Sequence, residues 1–326
     1  MKIGSAPTAP VTSAPSSQPT APTSEFFSQT SFWNQANVAG QEVDPNSPAM
    51  IANLMQTVGS ETAAHTGPWL NARVDGVAIV TVPAGQPTVT VTLNHAPDAA
   101  LSAAWSQVPL PSDAQPSAGD NDLAVWQPST NRLWEFFQLH HLATGWQAEW
   151  GGAVANESSN PGVYGPGAWP GAEYSWGVTA TSLSVVGGVV TFNDLVAGAI
   201  DHALAIVLPD VRYASYVAPA ERDDGSSTSA GAIPEGSRLR LDPSLNIASL
   251  NLPPMVRMLA LAAQRYGIYV RDYSSIAAFV GQDPTTSAYG SSLYAAAYDG
   301  MSTGQLMQYF PWSHLQVVRQ TVQQGW

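Results

Sequence analysis

The sequence predicts a mainly β fold, a jelly-roll-like β-sandwich with a few peripheral helices, formed by one domain over residues 26–326. Three observations predict it. Short segments rich in β-branched residues alternate apolar with polar positions, turn-forming Gly, Pro, Asn and Ser punctuate them, and only three stretches carry apolar residues at helical spacing.

Taken in order, residues 5–24 (SAPTAPVTSAPSSQPTAPTS) hold no aromatic and no charge, with a proline every few positions. Such a composition buries too little surface to offset its ordering entropy, so residues 1–25 read as a disordered, semi-extended linker. MKIG passes directly into this tract without the apolar stretch of a signal peptide. Aromatic residues begin abruptly at Phe26-Phe27 and Phe32-Trp33-Asn34, which sets the domain boundary near residue 25. Residues 48–58 (PAMIANLMQTV) follow Asn46-Ser47 and read as a capped helix. Residues 74–82 and 88–93 read as strands. Segments 123–127 and 132–138 flank a turn-prone PSTN and, with 146–150, predict a three-stranded antiparallel meander. Strands follow at 200–208, 214–217, 237–241, 267–270 and 276–280, with helices at 192–199 and 254–266, the last stopped by Gly267. No repeat of solenoid or propeller period is present.

Composition narrows the partners. Hydrophobic residues make up 44% and charged residues only 11%, so the surface is solvated mainly by uncharged polar groups. The formal net charge is -13 and Lys2 is the sole lysine, which argues against nucleic acid and acidic membranes and favours a neutral polysaccharide or oligosaccharide. No run of eighteen apolar residues exists, so no membrane insertion is expected. The absence of cysteine excludes disulfides and thiolate metal sites. Walker, dinucleotide, HExxH and GxSxG motifs are absent as well.

The hairpin over 122–138 carries the leading site. A turn at Ser129-Thr130 pairs Ala124 with Glu135 and Asp122 with Phe137, which sets Asp122, Glu135 and Trp126 on one face. Diagonal neighbours lie about 7–8 Å apart there, a spacing from which two carboxyls can act as a glycosidase acid and base or nucleophile. Trp126 is then a stacking platform for a sugar. The other face offers Gln138 and His140, with Glu149 opposite Gln138. A one-residue slip of register would exchange the two faces. His202, beside Asp201 at the start of an apolar strand, is a third catalytic candidate, set against a satisfied, partly buried histidine. Arg238 is a clamp for a carboxylate or sugar hydroxyls, or else an ion-pair partner of Glu235. Trp176 closes the aromatic-rich segment 160–176, read as a cleft wall, and the Gly/Ser-rich 225–232 reads as a lid or connector. No metal site is predicted. A structural calcium ion would find its most oxygen-rich short cluster at Asp120-Asn121-Asp122, which lacks EF-hand spacing.

Two resemblances bear on these readings. Gln138-Leu139-His140 is similar to the Gln-x-His element of jelly-roll alginate lyases, which implies uronate binding by Gln138 and His140 with a tyrosine such as Tyr164 or Tyr174 handling the proton. The arginine-rich strand motif of those lyases is not apparent. From Ser31 onward the chain resembles a broad group of uncharacterised secreted bacterial proteins. That similarity rests on Ser31-Phe32-Trp33-Asn34, Leu133-Trp134-Glu135-Phe136, the segment WGVTATSL at 176–183, Ile200-Asp201-His202-Ala203-Leu204, Pro219-Ala220-Glu221-Arg222, Arg238-Leu239-Arg240-Leu241 and Arg265-Tyr266-Gly267-Ile268. It implies a secreted or cell-surface location and brings no activity. Three readings follow: a glycoside hydrolase with Glu135 and Asp122 as its carboxylate pair, a polysaccharide lyase, and a non-catalytic carbohydrate-binding module, for which some three hundred residues is large.

Overall fold

The computed structural model describes residues 26–95, 97–173 and 177–325. The linker, Tyr174 and Trp176 therefore lie outside the described residues. Helix α1 (Ser47–Ala64) carries Pro48 in its first turn, which its fixed φ suits, and stops at His65 in the left-handed conformation. Strands β1 (Trp69–Asn71), β2 (Ala78–Thr81) and β3 (Val91–Leu93) follow, then α2 (Ala99–Ala104), capped by the Asp98 side chain on the Leu101 amide.

Next come β4 (Leu123–Gln127), β5 (Arg132–Phe137), β6 (His140–Leu142), β7 (Gly145–Ala148) and β8 (Trp150–Val154). Helix α3 (Phe192–Ala197) opens on a capping box between Thr191 and Asp194. Strands β9 (Leu204–Leu208), β10 (Val211–Val217), β11 (Ile233–Glu235) and β12 (Arg238–Leu241) lead to α4 (Pro254–Arg265). The chain ends with β13 (Ile268–Tyr273), β14 (Ala278–Val280), α5 (Gly290–Tyr298), α6 (Thr303–Met307), β15 (Leu315–Val317) and β16 (Val322–Gln324).

Four sheets make the fold β-rich. A six-stranded sheet runs β1-β14-β9-β13-β12-β15, a four-stranded one β2-β4-β5-β8, and two three-stranded ones β3-β7-β6 and β11-β10-β16. Jelly rolls pair their strands antiparallel, whereas here β1/β14, β10/β11, β9/β13, β2/β4 and β3/β7 are parallel. The predicted meander is redistributed: β5 pairs with β4 and β8, while β6 and β7 leave for a separate sheet. Helices α2, α5 and α6 were not foreseen, because each is short and its apolar residues mix with small ones.

Alternation along β9 divides the core. Leu204, Ile206 and Leu208 join the cluster under α1, α4 and α6, while Ala203 and Ala205 face a second cluster shared with the four-stranded sheet. Trp33, Trp105, Trp134, Tyr164 and Trp169 fill that second cluster, so the large aromatic rings of the segment over 160–173 point into the core rather than into a cleft. Gly151 permits this closeness: at φ +150°, a Cβ there would stand 2.0 Å from the Glu135 carbonyl oxygen. Among the described residues no helix is long and apolar enough to cross a membrane.

Candidate functional site: an acidic cleft between two sheets

The register of β4 and β5 pairs Ala124 with Glu135 as the sequence predicts, so Asp122, Glu135 and Trp126 do share a face. That face is turned to the interior. Glu135 is 0% exposed, and its carboxylate accepts hydrogen bonds from the Ser184 hydroxyl, the Val185 amide at 3.0 Å and the Val186 amide at 3.4 Å. Burial raises its pKa, and these donors oppose the rise. Trp126 is a core ring, packed edge-on against Phe26 at 6.0 Å. The expected pairing of Glu135 with a sugar platform is therefore replaced by an interior carboxylate and an interior indole.

Asp122 fares differently. It is half-buried, its Oδ1 has no hydrogen-bond partner, and it lines a small pocket with Asp120, Arg271 and Asp272. Burial first, then the charge of Asp120, pushes its pKa well above the usual carboxylate range. Ser117 fixes its backbone, donating an amide to the Asp122 carbonyl at 2.9 Å and accepting the Asp122 amide on its hydroxyl at 3.1 Å.

The pocket opens into a cleft of about 620 Å³, with Asp120, Phe137, Val178, Thr179, Asp272 and Tyr273 common to both. One wall carries Glu149 and Trp150, the indole edge-on to His95 at 5.1 Å. Arg222 and Asp224 complete the opposite side. Asp224, Glu235 and Asp272 each bring a carboxylate oxygen within 4.8 Å of the others. Burial and the charges of Asp272 and Asp224 push Glu235 up to about 9. Asp272 is raised to about 7 by burial and by Asp224, against the pull of Arg271.

Local structure explains the convergence. Strand β11 pairs with β10, ends at Glu235, and turns at Gly236, whose amide bonds the Val270 carbonyl at 2.8 Å. In β13 the register against β9 slips between Val270 and Asp272, leaving Arg271 as the extra residue of a β-bulge. Arg271 is buried and donates to the Val185 carbonyl at 2.5 Å, while Asp272 opens onto the cleft.

The remaining predicted residues scatter. Glu149 is exposed at the cleft wall, and its amide bonds Phe137. His140 pairs with Gln147 across β6 and β7, and Gln138 sits in a left-handed turn with its amide on the Asp120 carbonyl; neither lines the cleft. Arg238 donates to the carbonyls of Tyr266 and Gln35 and lies over the Tyr269 ring, away from Glu235, so it holds the fold rather than a ligand. His202 is buried between the Ala203 carbonyl at 2.8 Å and Asp194 at 3.2 Å. Burial lowers its pKa, but Asp194 and that carbonyl outweigh burial and hold it raised. The segment 225–232 is tied to β10 through Ser227, which bonds Val211 and Tyr213, and so acts as a connector.

The sequence does not read Asp272, Glu235 and Asp224 as one cluster; Glu235 enters there as an ion-pair partner for Arg238. The available signal was the pair Arg271-Asp272 at the carboxyl end of an apolar strand lying parallel to its neighbour, a position where open sheets collect ligands. No known protein family, curated protein or solved structure matches this chain.

Proposed function

We propose that this chain is a secreted carbohydrate-active enzyme, a glycoside hydrolase whose acid and base are Asp122 and Asp120. The observation that carries the reading is the contrast between these two carboxyls at one opening: Asp122 sheltered, unpartnered at Oδ1 and raised, Asp120 exposed. A sheltered carboxyl that holds its proton more tightly than usual suits the acid that protonates a leaving oxygen, and an exposed carboxyl beside it suits the base or nucleophile. Asp122 donates its proton to the leaving oxygen. Asp120 activates water or attacks the anomeric carbon. Trp150 and His95 offer ring faces to a sugar.

A neutral glycan suits the cleft better than a uronate. Asp120, Glu149, Asp224 and Asp272 all line it, while Arg222 donates to Ser182 and Thr179, and Arg271 Nη1 to the Val185 and Gly187 carbonyls. Tyr164, one of the two tyrosines the lyase reading names beside Tyr174, is fully buried.

The test is a panel of neutral and uronate-containing polysaccharides scored for reducing ends, for ultraviolet absorbance and for binding. Reducing ends from neutral glycans are expected, with Asp122→Asn lowering kcat by about 10²-fold or more at unchanged Tm. Ultraviolet-absorbing products would favour the lyase, and binding without turnover a carbohydrate-binding module; either result refutes the assignment.

A further inference from the structure

The acidic end of the cleft holds a charge problem that the hydrolytic reading leaves unsolved. Asp224, Glu235 and Asp272 gather three carboxylate oxygens within 4.8 Å of one another. Among the described residues none of the three has an arginine within ion-pair distance; the ion pairs are His202 with Asp194, Arg265 with Asp201 and Arg319 with Glu42. Arg222 shares the cleft, but its Nε serves the Ser182 hydroxyl and its Nη2 the Thr179 carbonyl.

A second observation is independent of the clustering. Glu235 is 0% exposed, and while its Oε2 accepts the Asp224 amide at 3.0 Å, its Oε1 is buried with no hydrogen-bond partner. A buried carboxylate oxygen without a donor is costly, and the Asp224 carboxyl beside Glu235 can donate to it only by carrying a proton, which a cation would replace. Strand geometry holds the group still. Glu235 closes β11 beside the sharp turn at Gly236, and Asp272 is pinned by the Tyr273 amide at 3.1 Å and the Ala180 amide at 3.4 Å.

We infer that Asp224, Glu235 and Asp272 bind one divalent cation of calcium's size at the acidic end of the cleft. The donors are all hard oxygens, and no cysteine exists to favour a softer metal. Calcium–oxygen bonds of about 2.3–2.6 Å span ligand oxygens up to roughly 5 Å apart, whereas magnesium at about 2.0–2.1 Å spans roughly 4 Å. Three oxygens within 4.8 Å of one another lie at most about 2.8 Å from a common centre, so a calcium ion reaches all three with shifts of no more than a few tenths of an ångström. Asp224 is exposed, so the ion's remaining positions face the open cleft, where water or sugar hydroxyls complete the shell. Asp120-Asn121-Asp122, the cluster the sequence suggested, supplies none of the three carboxylates. The two proposals can therefore fail separately.

The experiment is calorimetric titration of the chelator-treated full chain with calcium chloride and with magnesium chloride at pH 7.5, alongside thermal melts. One calcium per chain is expected, at a Kd below about 1 mM and at least about tenfold tighter than magnesium, with Tm rising by about 3 °C near saturation. Asp224→Asn, at an exposed position, should keep the metal-free Tm and weaken calcium about tenfold or more; Glu235→Gln should abolish binding. Asp122→Asn should bind calcium as the unaltered chain does. No heat and no Tm shift at 10 mM calcium would overturn the inference. Unchanged affinity in Asp224→Asn and Glu235→Gln, or lost affinity in Asp122→Asn, would overturn it too.

Discussion

Glu135→Gln exchanges one oxygen for an amide nitrogen in the inter-sheet core, where Ser184, Val185 and Val186 all direct hydrogens at the carboxylate. Gln keeps one acceptor oxygen and turns two N–H groups toward donors. At least one donor then loses its partner, at a cost of about 1–3 kcal/mol. Part of this is regained, because Gln carries no charge to desolvate and burial already disfavours the ionised Glu135. A net loss of about 1–2 kcal/mol remains, or about 2–8 °C in Tm at the ~2–4 °C per kcal/mol of domains somewhat smaller than this one. The sign with pH follows from the raised pKa. The carboxyl contributes most below its unfolded value of about 4.3, and that contribution is lost as pH rises through the higher folded value. The gap between the two proteins is therefore widest in acid. Calorimetric melts read the loss, and turnover is read at a temperature where both are folded. An unaltered Tm with turnover abolished would refute the structural role and return Glu135 to the chemistry.

Three further outcomes are expected. Gly151→Ala drives a methyl against the Glu135 carbonyl and should cost more than about 2 kcal/mol in urea unfolding; a neutral result would contradict the close approach of β5 and β8. The His202–Asp194 pair is fully stabilising below the unfolded imidazole value of about 6.5, and its contribution is lost as pH rises through the raised folded value. His202→Gln should therefore cost about 2 kcal/mol near pH 5.5 and less near pH 9, and a pH-independent difference would exclude the charged pair. Trp150→Ala should weaken glycan binding about tenfold and leave Tm within about 2 °C, as measured by calorimetry and melts; equal affinity would remove the indole from the ligand path.

The hairpin of β4 and β5 was legible to the residue, because alternation and a Pro-Ser-Thr-Asn turn fix register without help from the rest of the chain. Alternation sorts side chains into two faces but does not say which face is covered, and a sheet covered by another sheet hides its polar residues as well. Glu135 was misread for that reason. Helices α1, α3 and α4 are legible through helical spacing and terminal Pro or Gly, and only α3 also carries a side-chain cap. The cluster of Asp224, Glu235 and Asp272 depends on parallel pairing between segments read as loop and strand, and on one surplus residue in β13. Nothing local encodes either.

That surplus residue decides which way a charge points. In a regular strand, Asp272 would follow Ile268 and Val270 into the apolar layer under α4, and only Arg271 would look toward the opposing sheet. Because Asp272 instead aligns with Val207, two consecutive ionic side chains stand on one side of the sheet. Any transplant of this constellation into another scaffold must carry the irregular backbone along with the acids, and deleting Arg271 would keep Asp272 opposite Val207 but strip it of its basic neighbour.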